Sequence, residues 1–118
     1  MTFPRRGDVY LVEFDPARGH EAKKTRPAVV IQNDVGNRYS PVTIVAAVTS
    51  KLSPVPYPVD VAVAPTKGNG LSQQSAVQLG QIRSVDCGRL VKRLGALDPV
   101  TMRRVDEAIK VSLGLVDV

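Results

Sequence analysis

The chain has 118 residues, is 43% apolar and carries a formal net charge of +5. That is the size of one ordinary domain, apolar enough for a buried core. Its longest apolar runs, such as Ile44 to Val48, fall far short of the roughly 20 residues of a membrane-spanning helix, and a single cysteine, Cys87, excludes a disulfide framework or a cysteine metal knuckle.

The N-terminal stretch, Met1 to Gly7, is charged but is followed by no apolar segment, so a signal peptide is not expected and a cytoplasmic protein is. Asp8 to Phe14 is rich in β-branched and aromatic residues and follows Gly7, which reads as a strand. Asp15-Pro16-Ala17-Arg18-Gly19 is turn chemistry, and the polar run His20 to Thr25 extends it as a loop. Ala28 to Gln32 is a continuous apolar run, expected as a strand buried on both faces, and Asn33 to Asn37 is expected to break it. Val42 to Val48 is the next strand. Three prolines between Ser50 and Pro58 impose an irregular loop. Val59 to Val63 alternates as a half-exposed strand does. Thr66 to Gly70 is a turn, Ser75 to Ile82 a strand, and Leu90 to Leu94 a short strand that Gly95 is expected to end. The period then changes. Asp98 and Pro99 form a helix start, and Met102, Val105, Ile109 and Leu113 recur at helical spacing up to Gly114. Five or six short strands followed by one helix predict a mainly β fold with helices, a small barrel or sandwich in a single domain over 1–118.

The common catalytic signatures are missing. There is no phosphate loop ending in Gly-Lys-Ser/Thr, no Gly-x-Gly-x-x-Gly, no His-Glu-x-x-His and no Gly-x-Ser-x-Gly. One histidine and one cysteine leave a zinc site in need of carboxylates, so neither a metal nor another cofactor is expected. His20, in a charged loop beside Glu21, is best read as solvated, and one imidazole supplies only one proton-transfer group. The positive charge suits a polyanion and suits solubility equally. Five aromatics and no tryptophan argue against a stacking platform for several bases.

Two short segments remain. In Thr25-Arg26-Pro27, proline holds Arg26 in the extended region, so its planar fork of donors starts from a fixed base. In Val48-Thr49-Ser50, a strand ends in two hydroxyls. A guanidinium and a hydroxyl at neighbouring strand ends can hold a phosphate. Taken alone, Arg26 is better explained by a surface ion pair with Glu21 or Asp15, and Thr49 and Ser50 as ordinary strand-end hydroxyls.

The chain as a whole resembles the MazF/PemK family of bacterial toxin endoribonucleases. The resemblance is carried by Arg6 to Tyr10, the Asp15-Pro16 turn with Gly19 and Glu21, Thr25 to Pro27 and Ile31 to Asn37. It continues through Ile44 to Ser50, Gln81 to Asp86, and Val105 to Ala108 with Ser112 to Leu115. It implies an SH3-like barrel of the CcdB/PemK type with a C-terminal helix, working as a homodimer. It also implies a metal-independent ribonuclease that cuts single-stranded RNA, chiefly mRNA, at a short sequence and leaves 2′,3′-cyclic phosphate and 5′-hydroxyl ends. On this resemblance Arg26 and Thr49 are catalytic, and Glu21, His20, Lys24, Ser50 and Gln81 contact RNA. An antitoxin with an acidic, disordered tail is the implied partner. The chain departs from relatives at His20-Glu21-Ala22, where many have Ser-Glu-Gln, and at Gly80, where close relatives have glutamate. The RNA sequence it prefers is therefore not carried over. Two other readings are kept: a non-catalytic toxin of the same fold that binds DNA gyrase, and a non-catalytic RNA-binding barrel.

Overall fold

The computed structural model describes residues 2–15, 24–55 and 57–117. Six antiparallel strands form one sheet: β1 (Asp8–Asp15), β2 (Lys24–Val30), β3 (Val42–Thr49), β4 (Asp60–Val63), β5 (Ser75–Asp86) and β6 (Leu90–Ala96). Among the described residues two α-helices, α1 (Asp34–Tyr39) and α2 (Pro99–Ser112), and a 3-10 turn at Cys87–Arg89 accompany the sheet. The order across the sheet is β4-β5-β3-β2-β1-β6, so the mainly β architecture with a C-terminal helix is as expected. The sheet is roughly barrel-like but is not closed by strand pairing, since β4 and β6 are its two edges.

The apolar run in β2 explains the core. Ala28, Val29 and Val30 are fully buried, with alternate residues facing opposite sides of the sheet. Val29 joins Val9, Ala46, Val48, Val61, Val77 and Leu79 in one cluster, to which α2 adds Val105 and Ala108. Ala28 and Val30 join Val12, Phe14, Val45, Ala47 and Val85 in a second. A strand flanked by two apolar layers needs no polar alternation, which is why its sequence has none.

β5 bends sharply. Ala46 of β3 pairs with Ile82, but its neighbour Ala47 pairs with Gln78, so Leu79, Gly80 and Gln81 bulge out of the ladder. The Ser112 hydroxyl of α2 donates to the Leu79 carbonyl at 2.6 Å and satisfies one group freed by the bulge.

The edges of the open sheet are drawn together by the turn after β4. The Ala96 amide of β6 donates to the Gly68 carbonyl at 2.9 Å. Gly70, at φ +70°, sits so close to β6 that a Cβ would run into the Leu94 carbonyl, and a Cβ on Gly95 would run into the Gly68 carbonyl. Buried Asn69 holds this turn: its Oδ1 accepts from the amides of Thr66 and Leu71, and its Nδ2 donates to the Ala64 carbonyl, each at 3.0 Å. Gly95 therefore lies inside β6 instead of ending it.

Other boundaries also differ from expectation. Lys24 and Thr25 belong to β2, not to a loop, because they pair with Asp15 and Glu13. Asn33 to Asn37 does not simply break the chain; Asn33 caps α1 by accepting from the Gly36 amide at 2.8 Å. Leu113 follows α2 and is exposed, so Val105 and Ala108, with Met102 and Ile109 beside them, make the buried face.

Asp34 in α1 accepts from the Arg6 amide at 2.7 Å and from Asn37 Nδ2 at 3.2 Å. The Arg6 hydrogen bond holds its carboxyl below the ordinary aspartate value. A lowered folded pKa means this stabilisation is complete above the ordinary value and is lost as pH falls through the folded one. Asp34→Asn is expected to flatten the acid limb of a urea-midpoint curve below about pH 4 and to leave its shape at neutral pH unchanged. An unaltered acid limb would show that Asp34 does not contribute.

Candidate anion-binding cleft at the ends of β2 and β3

β2 and β3 pair at Val30–Val45, Val29–Ala46 and Ala28–Ala47, and there the ladder stops. The next residue of β2 is Pro27, which has no N–H to continue it. β2 stays paired to β1 on its other side as far as Lys24. The two strand ends are thus free to part. Counting on from the last pair sets Pro27 beside Val48 and Arg26 beside Thr49. By the two-residue repeat, Arg26 and Thr49 share the face of Ala28 and Ala47.

A cleft of about 350 Å³ opens where the strands part. Arg26, Thr49, Ser50 and Lys51 line it on one side. Gly70, Leu71, Ser72, Gln73 and Ser75, in the segment leading into β5 on the side of β3 away from β2, form the other wall, and Leu11 and Leu94 supply apolar surface. Two cations and several hydroxyls reach this space, and no carboxylate is among its described lining residues. Arg26 is exposed and makes no hydrogen bond or ion pair among the described residues, and its fork of donors suits an oxyanion. The Lys51 amide donates to Thr49 Oγ1 at 3.1 Å. One lone pair of that hydroxyl is therefore used by the backbone, and its proton remains to donate outward. Such an array suits an oxyanion with several acceptor oxygens.

The expected site residues separate into three groups. Arg26, Thr49 and Ser50 come together in the cleft. Gln81 is exposed in the bulge of β5 and does not line it. His20 and Glu21 lie outside the described residues, and Lys24 is described only as the strand residue paired with Asp15. The sequence reading missed Lys51, Ser72 and Gln73, all exposed cleft residues. Lys51 had a usable signal, a cation next to the strand-end hydroxyls. Ser72 and Gln73 had none, because the turn that delivers them is positioned by β6, far along the chain.

The fold and cleft define a small, open β domain with a cationic, hydroxyl-lined recess at the ends of two central strands. Within that class the assignment is specific. Residues 5–113 match the family of PemK-like, MazF-like toxins of type II toxin–antitoxin systems, and the chain belongs to that family. It is 42% identical over 113 residues to the endoribonuclease EndoA of Bacillus subtilis, covering 96% of this chain and 97% of the relative. It is 44% identical over 111 residues to the endoribonuclease MazF of Staphylococcus saprophyticus, covering 94% and 92%. Among solved structures, a MazE–MazF complex from Deinococcus radiodurans matches with a TM-score of 0.78 at 26% identity, covering 96% of this chain and 97% of that one.

Proposed function

We propose that this protein is the toxin of a type II toxin–antitoxin pair and acts as an endoribonuclease on single-stranded RNA, with the scissile phosphate held between Arg26 and Thr49. The observation that carries this reading is the cleft itself: a guanidinium with no partner among the described residues beside a hydroxyl, with Lys51 near and no carboxylate among the described lining residues. The endoribonuclease names of the relatives from B. subtilis and S. saprophyticus support the activity. The D. radiodurans complex of a related toxin with MazE supports an antitoxin partner.

RNA carries its own nucleophile. The 2′-hydroxyl sits next to the phosphorus it attacks, and correct alignment alone contributes roughly 7–11 kcal/mol in ideal cases. The 2′-oxygen forms a bond to phosphorus as the bond to the 5′-oxygen breaks. The 2′-oxygen loses its proton and the 5′-oxygen gains one, which leaves a 2′,3′-cyclic phosphate and a 5′-hydroxyl. Negative charge builds on the non-bridging oxygens meanwhile. Arg26 meets that charge with two aligned N–H donors and Thr49 with one O–H. No step in this scheme uses a metal ion. In the dimer that this reading implies, the acidic tail of an antitoxin would compete with RNA for the same cations.

The test is direct. Purified protein is incubated with a long single-stranded RNA in excess EDTA, and the ends are mapped. Discrete cuts bearing cyclic-phosphate ends are expected. Tight binding with intact RNA would replace this reading with a non-catalytic RNA-binding barrel. Inhibition of DNA supercoiling without RNA cleavage would replace it with a gyrase-binding toxin.

A further inference from the structure

We propose that Gln73 is a base-reading residue, selecting the nucleotide that lies next to the scissile phosphate. The inference rests on the endoribonuclease reading above and assigns to the second wall of the cleft a task that Arg26 and Thr49 cannot perform. Contacts to phosphate position a nucleic acid but carry no sequence information, which must come from contacts to base edges. On the Arg26 side the cleft offers a guanidinium, an ammonium and two hydroxyls, groups suited to phosphate and sugar. The opposite wall has a different chemistry.

Gln73 lines the same cleft and is exposed, in the segment leading into β5, which pairs with β3 on the side away from β2 and Arg26. Its amide presents a donor and an acceptor side by side, the pattern that pairs with the edge of a single base. Splayed bases of single-stranded RNA expose such edges. No hydrogen bond within the described residues occupies this amide. Its backbone, in contrast, is held: the carbonyl of Gln73 accepts from the buried Ser75 hydroxyl at 2.8 Å. On the other side of Gln73 the segment is anchored by buried Leu71 and by Gly70 against β6. A reader needs a fixed base and a free head group, and Gln73 has both.

Gln74 provides the control. It is the same residue type, also exposed, one position further along, and is not among the cleft-lining residues. A general effect of glutamine on solubility or on the stability of this segment would appear at both positions. A base contact would appear only at Gln73.

The experiment maps cut sites of the full chain on a long RNA of mixed sequence, for the unsubstituted protein, Gln73→Ala, Gln73→Glu and Gln74→Ala. Gln73→Ala is expected to lower discrimination at one nucleotide beside the cut by roughly 5–150-fold, the range for one bidentate base contact, with the other positions of the site retained. Gln73→Glu loses the donor and is expected to change which base is preferred at that same position. Gln74→Ala is expected to reproduce the parent profile. Cut profiles of Gln73→Ala and Gln73→Glu that match the parent would overturn this assignment and leave the endoribonuclease reading intact. An equal loss of discrimination in Gln74→Ala would also overturn it. Should Gln73→Ala fail to fold, the near-isosteric Gln73→Glu decides alone. A parent protein that cuts no RNA removes both readings together.

Discussion

Arg26→Ala is expected to lower the single-turnover rate of RNA cleavage by about 10³-fold or more while leaving the thermal midpoint unchanged. The scale follows from charge-stabilising donors in other phosphoryl and acyl transfers, where loss of one neutral donor costs about 10²–10³ and loss of a transition-state arginine about 10³–10⁵. Stability should not move, because the guanidinium is exposed and makes no hydrogen bond or ion pair among the described residues. Arg26→Lys separates charge from geometry. An ammonium keeps the charge but loses the planar pair of donors, so a rate between those of the parent and of Arg26→Ala is expected. Thr49→Val removes the outward O–H together with the acceptor of the Lys51 amide, and a loss of about 10² is expected. Near-parent cleavage by Arg26→Ala would end the assignment of this cleft as the place where the bond is broken.

Gly70→Ala is expected to cause the largest loss of stability of any single-methyl change at the cleft. Two costs add. An alanine at φ +70° pays for the left-handed conformation, about 1–2 kcal/mol. It must also push the Leu94 carbonyl aside, an overpacking cost of about 1–3 kcal/mol. The total of roughly 2–5 kcal/mol corresponds to a drop in thermal midpoint on the order of 10 °C for a domain of this size. Gly114→Ala isolates the first cost, because Gly114 has φ +74° and a Cβ there meets nothing within 4 Å. Calorimetry on the two variants should show a clearly larger loss at position 70. Equal losses would mean that the contact with β6 is slack.

The sequence carried the site's first wall and not its second, for a physical reason. Arg26 and Thr49 stand at the ends of apolar runs, so strand boundaries alone bring them to one end of the sheet. Pro27 marks where the β2–β3 ladder must stop. The helix start at Asp98 was equally local: its side chain accepts from the Thr101 amide at 2.7 Å. The helix α1 escaped notice because it is only six residues long and contains Gly36 and Asn37. What holds it is not periodicity but hydrogen bonds. Asn37 Oδ1 accepts from Thr43 Oγ1 at 2.7 Å and from Gln32 Nε2 at 3.0 Å. The far end of β5 was missed because its bulge at Leu79–Gln81 interrupts the alternation on which the eye relies. Ser72 and Gln73 reach the cleft only through the meeting of Gly68–Gly70 with Leu94–Gly95, which no local pattern announces.

The glycine contact between the two edges of the sheet also sets an order of events during synthesis. The segments it joins are the turn Gly68–Gly70 that follows edge strand β4 and Leu94–Ala96 of edge strand β6, and the second leaves the ribosome after the first. Until Gly95 has emerged, the segment after Gly70 has no β6 to rest on, whereas the strands that carry Arg26 and Thr49 are both already out. On the proposed reading, the side of the cleft that holds the phosphate can therefore assemble before the side that reads the base.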